Sequence, residues 1–68
     1  MDFRELIESI NYDILEQTKF GLSSTVYPLG ERNSQFSDAV LEYFSESEVS
    51  VRYDSSTYKL HINWQATN

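Results

Sequence analysis

The sequence predicts an α+β fold in which two helices pack on one face of a small antiparallel sheet. Three features of its hydrophobic pattern carry that prediction. From Asp2 to Phe20 apolar residues recur at helical spacing; the spacing returns between Ser34 and Ser45; and from Glu48 onward the period drops to two. Sixty-eight residues leave room for one core, so the expected organisation is a single domain over 1–68. A chain of this size buries only about 60% of the surface its unfolded form exposes, so dense packing or self-association must support it.

The first helix follows from Phe3, Leu6, Ile7, Ile10 and Ile14, which fall within an arc of roughly 100° at helical periodicity. Asp2 with Glu5 three residues on fits a capping box, Lys19 sits where the negative end of the helix dipole favours a cation, and Gly21 suits a left-handed cap. Glu5, Glu8, Tyr12 and Glu16 fall on the opposite side, with Leu15 at its border. Residues 21–33 hold both glycines and the only proline, and read as a connector. A third short strand near residues 22–27 is the alternative to a loop there, and Pro28 would end it or confine it to an edge.

The second helix, Ser34 to Ser45, follows an Asn-Ser pair suited to capping and sets Phe36, Val40, Tyr43 and Phe44 on one arc. Its outer side carries Asp38, Glu42 and Glu46 at intervals of four. A like-charge row of this kind disfavours a helix by roughly 0.2–0.5 kcal/mol per neighbouring pair. Beyond it, Val49, Val51 and Tyr53 alternate with polar residues, as do Tyr58, Leu60, Ile62 and Trp64, on either side of the turn-rich Asp54-Ser55-Ser56-Thr57. A hairpin turning at Ser55-Ser56 would pair 53 with 58, 51 with 60 and 49 with 62, gathering every apolar residue on one face. Arg52 would then face Lys59, and His61 would face Ser50.

Composition narrows the function classes. A chain with 40% hydrophobic residues, 15% of all residues aromatic, should fold despite a net charge of −6. The absence of cysteine points to a reducing compartment, and the cytoplasm is the expectation. An acidic N-terminus and the lack of any apolar run near the ~20 residues a span requires argue against a leader and a membrane anchor. Charge is divided along the chain: residues 1–48 hold ten acids and three bases, a balance of −7, whereas 49–68 hold Asp54 against Arg52 and Lys59, a balance of +1. Such a field repels nucleic acid and anionic lipid and attracts a basic protein.

No catalytic site, metal or cofactor is expected. His61 is the only histidine, no spacing resembles a zinc or calcium motif, and no nucleophile pairs with a base. The hairpin aromatics could suggest a base-stacking platform, but alternation places them on the face away from Arg52, Lys59 and His61, whereas stacking rings must share a face with the phosphate-gripping cations.

The candidate contact residues are therefore the acids and the tyrosine of the helices, Glu5, Glu8, Tyr12, Glu16, Asp38, Glu42 and Glu46, with apolar help from Leu15 or Leu41 and a secondary basic patch of Arg52, Lys59 and His61. The plainer account of the acids is a solubilising outer surface. The sharper one is a non-enzymatic protein-interaction module, an inhibitor or regulator that occupies a basic surface of a partner, with imitation of nucleic acid as a narrower version. In size, acidity and lack of cysteine the chain is similar to the small inhibitor proteins that phages make against host enzymes, a likeness of composition carried by no motif. Two alternatives stand beside it: a winged-helix-like nucleic-acid binder using the 49–64 hairpin, and a structural subunit that self-associates as a homo-oligomer.

Overall fold

The computed structural model describes residues 2–64. Helix α1 spans Phe3–Lys19 and is closed at both ends by the residues its sequence marks. The Asp2 carboxylate accepts the Glu5 backbone N–H at 2.8 Å, satisfying one of the donors that a helix start leaves free. At the other end Gly21 takes φ +79°, the N–H of Leu22 reaches Gln17 O, and that of Gly21 reaches Thr18 O, which together form a Schellman cap. Leu6, Ile7 and Ile10 are buried on the inner side, while Phe3 and Ile14 pack against the core from its margin.

The connector contains a strand. β1 spans Ser24–Pro28 and lies at the edge of a three-stranded antiparallel sheet whose order is β1-β3-β2, with β2 at Ser50–Asp54 and β3 at Lys59–Asn63. Pro28 is its last residue, as a residue without a ladder donor must be placed. Among the described residues, the last strand in sequence is thus the middle of the sheet. Five rows run across it: Thr25–Ile62–Val51 and Tyr27–Leu60–Tyr53 alternate with Ser24–Asn63–Ser50, Val26–His61–Arg52 and Pro28–Lys59–Asp54. The first two rows contain the buried Leu60 and Ile62, which join Leu6, Ile7, Ile10, Leu29, Val40 and Phe44 in one core cluster. Each fully buried Leu or Ile contributes about 1.5–3 kcal/mol relative to exposure. Helix α1 contacts β1, and the second helix contacts β2.

That second helix is shorter than its pattern predicts. A single 3₁₀ turn, Ser34–Phe36, leads into α2 at Ser37–Tyr43. Asn33 does not cap it; its side-chain amide donates to Leu29 O at 3.3 Å instead, and the Ser34 hydroxyl donates to Glu31 O. At the far end the Ser45 hydroxyl and N–H both donate to Glu42 O and the Ser47 hydroxyl donates to Phe44 O, so serines take up the terminal carbonyls and the chain turns. Glu46 consequently stands beyond α2 and does not continue a helical row with Asp38 and Glu42. Tyr43 is exposed, while Val40 and Phe44 are buried.

The hairpin pairs differently from the expectation. Asp54 lies opposite Lys59, Tyr53 opposite Leu60 and Val51 opposite Ile62, a slip of two residues from a turn centred on Ser55-Ser56. The cause lies in the loop 55–58. The Asp54 carboxylate accepts both the Ser56 N–H (3.0 Å) and its hydroxyl (2.6 Å), and Tyr58 closes the loop with φ +57°. Gly30 N–H donates to Tyr58 O at 3.0 Å and ties the loop to the connector. Tyr58 therefore leaves the ladder and is exposed. A two-residue slip preserves the identity of each face, so Leu60, Ile62, Val51 and Tyr53 still point to one side.

Candidate functional site

The outer side of α1 is fixed in rotation by two polar contacts along one flank. Tyr27 OH donates to Ser9 Oγ at 2.8 Å, and Thr25 Oγ1 donates to Asp13 Oδ2 at 2.9 Å, both partly buried between α1 and the edge strand. With that flank held and Leu6, Ile7 and Ile10 inward, Glu5, Glu8, Tyr12 and Leu15 face solvent and Glu16 is half-buried. Arg4 Nε stands 3.5 Å from Glu8 Oε1, and Lys19 Nζ stands 3.5 Å from Glu16 Oε1. Exposed pairs of this kind add little stability. They do lower the net charge of this face, and Glu5, near the positive helix end, has neither cation as a partner.

Tyr12 is 64% exposed and Leu15 53% exposed, one turn apart in the middle of this acidic side. On α2, Asp38 and Glu42 are exposed, directed away from the buried Val40 and Phe44. Leu41 is half-buried and lines a shallow hollow with Phe44 and Val49, which makes it the less available of the two apolar helpers. The helices approach at Phe3, whose ring centroid lies 5.9 Å from that of Phe36 and 6.3 Å from that of Tyr43. Beside this contact a cleft of about 310 Å³ is lined by Phe3, Arg4, Ile7, Glu8, Asn11 and Tyr43. Glu8 is the one candidate acid in it. Asp38, Glu42 and Glu46 line no part of that cleft.

The basic patch is rearranged by the register. Arg52 lies opposite His61, Lys59 lies between Asp54 and Pro28, and Ser50 lies opposite Asn63, so the expected juxtapositions of Arg52 with Lys59 and of His61 with Ser50 do not occur. Arg52 and Lys59 are exposed and His61 is half-buried between Val26 and Arg52. Val26 is 49% exposed in the same row. The Asp54 carboxyl is held below the ordinary aspartate range, first by the Ser56 hydroxyl, then by the Ser56 N–H, with help from Thr57. Among the described residues no group of three or more His, Asp or Glu side chains is placed to hold a metal ion, and no helix is long and apolar enough to cross a membrane.

Sequence reasoning passed over three exposed apolar side chains: Phe20, 75% exposed at the C-cap of α1, Leu22 just after it, and Val26 on the sheet. Phe20 carried a readable signal, since at 100° per residue it falls outside the arc of the five core positions. Val26 could not be read, because its face depends on the pairing of β1 with a strand more than thirty residues away. No family model, curated protein or solved structure matches the chain.

Proposed function

We propose that this chain is a single-domain, non-enzymatic interaction module of a reducing compartment such as the cytoplasm, an inhibitor or regulator that occupies a basic surface of a partner protein. In this reading both helices cover one face of the sheet, and the outer side of α1 is the contact surface, with Glu5, Glu8 and Glu16 around Tyr12 and Leu15. Asp38 and Glu42 extend it on α2. The observation that carries the reading is the exposure of Tyr12 and Leu15 amid carboxylates. Exposed apolar side chains ringed by charge supply both parts of an interface, an anchor to be desolvated and a rim that steers and orients.

Imitation of nucleic acid is the weaker version, because Glu46 lies beyond α2 and does not extend its row. Binding of nucleic acid through the hairpin has in its favour three basic side chains, Arg52, Lys59 and His61, on one sheet face. One comparison separates the two classes. Capture from a native extract is run with the wild type, with Glu8→Lys plus Glu16→Lys, and with Arg52→Ala plus Lys59→Ala. The interaction reading expects a protein retained by the wild type and by the second variant but not by the first. Retention of nucleic acid that only the second variant loses, with steep salt dependence, would overturn it.

A further inference from the structure

The sheet has a face that the described chain leaves uncovered. Its rows are Ser24–Asn63–Ser50, Val26–His61–Arg52 and Pro28–Lys59–Asp54, and all of these residues are exposed except His61 and Asp54, which are half-buried. In a protein of net charge −6 this face gathers Arg52, Lys59 and the sole histidine around the exposed Val26. Its single acid, Asp54, already spends one carboxylate oxygen on the Ser56 N–H and hydroxyl. A depression of about 390 Å³ on it is lined by Val26, Arg52, His61 and Asn63 among others, and by no carboxylate.

The outer side of α1 has the opposite character in the same arrangement: Tyr12 and Leu15 exposed at the centre, Glu5, Glu8 and Glu16 around them. We infer that the open sheet face is a docking site for the outer side of α1 from a second copy of this chain. Val26 meets Tyr12 and Leu15, and Arg52 and Lys59 meet the glutamates. This names a partner for the surface proposed above, and it rests on that reading in taking α1 as the contact element. Helix α1 packs on the Leu60 and Ile62 side of the sheet, opposite the open face, so two copies cannot make this contact reciprocally, and they assemble head to tail into rings or short chains rather than into a symmetric pair. A three-stranded face and one helix make a small interface, below the ~1,200 Å² of stable complexes, and association is accordingly weak and driven by charge.

The test exploits that polarity. Sedimentation of the wild type is measured at about 0.1–1 mM protein, the range suited to a weak contact, and at salt of about 0.01 M and about 1 M, where the screening length is about 30 Å and about 3 Å. The wild type should associate reversibly in low salt and dissociate in high salt. Arg52→Glu plus Lys59→Glu reverses the charge of the sheet face, and Glu8→Lys plus Glu16→Lys reverses that of the helix; each variant alone should be monomeric, and an equimolar mixture should associate. Far-UV circular dichroism establishes that both are folded. Val26→Asp, at an exposed position, is an independent variant that should abolish wild-type association.

In the mixture, amide shift changes should fall at Tyr12 and Leu15 and at Val26 and His61. A wild type that stays monomeric, a sheet variant that still self-associates, or a mixture that stays dissociated overturns the inference. The two readings fail separately. If the mixture is silent while the helix variant loses the captured partner, the docking inference falls and the interaction module stands; if the mixture associates while that variant keeps the partner, the reverse holds.

Discussion

Tyr12→Ala separates an interface residue from a packing residue. Tyr12 is 64% exposed, so a partner that covers it fully removes about that share of the ~150–250 Å² an aromatic side chain buries. At about 25 cal/mol per Å², roughly 100–160 Å² gives an upper range of roughly 2.5–4 kcal/mol. Imperfect desolvation lowers this, and a loss of about 2 kcal/mol, near 30-fold in Kd, is the expected outcome for binding. Folding should respond in the opposite sense. Alanine is the better helix former by up to about 0.7 kcal/mol, and exposed substitutions lie within about 0.5 kcal/mol of neutral, so the variant should be as stable as the wild type or slightly more so. Urea unfolding followed by far-UV circular dichroism gives the change in folding stability, and titration against the captured partner gives the change in affinity. A stability loss above about 1 kcal/mol would make Tyr12 a packing residue, and unchanged affinity would remove it from the contact surface; either result refutes the reasoning.

Tyr27→Phe deletes the hydroxyl that donates to Ser9 at 2.8 Å while keeping the ring, and should cost about 0.5–1.5 kcal/mol in urea unfolding. Amide exchange in β1 should quicken more than in α1, because the helix keeps its own backbone bonds and the buried Leu6, Ile7 and Ile10, whereas β1 is an edge strand; uniform quickening would contradict that. Asp54 supplies a pH signature. Its carboxyl is depressed in the folded chain by Ser56 and Thr57, so its contribution to the loop is complete above the unfolded value of about 3.9 and is lost as pH falls through the lower folded value. A carboxyl-carbon titration should place its midpoint below that of the unfolded peptide, and Ser56→Ala should raise it; a midpoint insensitive to Ser56 would sink the assignment.

How much of the fold was legible depends on where each determinant sits in the chain. Helix α1 is written locally: five apolar positions, Asp2 at its start and Gly21 after its end all lie within one stretch, and the structure buries Leu6, Ile7 and Ile10, sets Phe3 and Ile14 at the core's margin, and caps the helix with Asp2 and Gly21. Strand β1 is not. Ser-Thr-Val-Tyr-Pro alternates too briefly to announce itself, and what holds it is distant, with Thr25 on Asp13, Tyr27 on Ser9 and the ladder on residues 59–63. The truncation of α2 lies between these cases. Its apolar arc suits a longer helix, but Ser45 and Ser47 were available to take the last carbonyls, and a reading weighted by hydrophobic period overlooked that competition.

The hairpin shows which inferences about a strand survive an error. Side chains alternate with a period of two, so any even slip leaves both faces composed as before, while every cross-strand neighbour changes. The face holding Leu60 and Ile62 was therefore readable from sequence even though the loop is two residues longer than expected. The pairing of Arg52 with Lys59 was not, because it required the turn itself to be right, and the turn is set by an aspartate side chain and a left-handed tyrosine that no hydrophobic pattern reports. The consequence is chemical. With Arg52 beside His61 and Lys59 beside Asp54, the cations are spread over two rows around Val26 instead of repelling each other across one pair. A face arranged in this way can meet several carboxylates at once at little cost to the sheet, which is the property that the docking of a second copy's α1 requires.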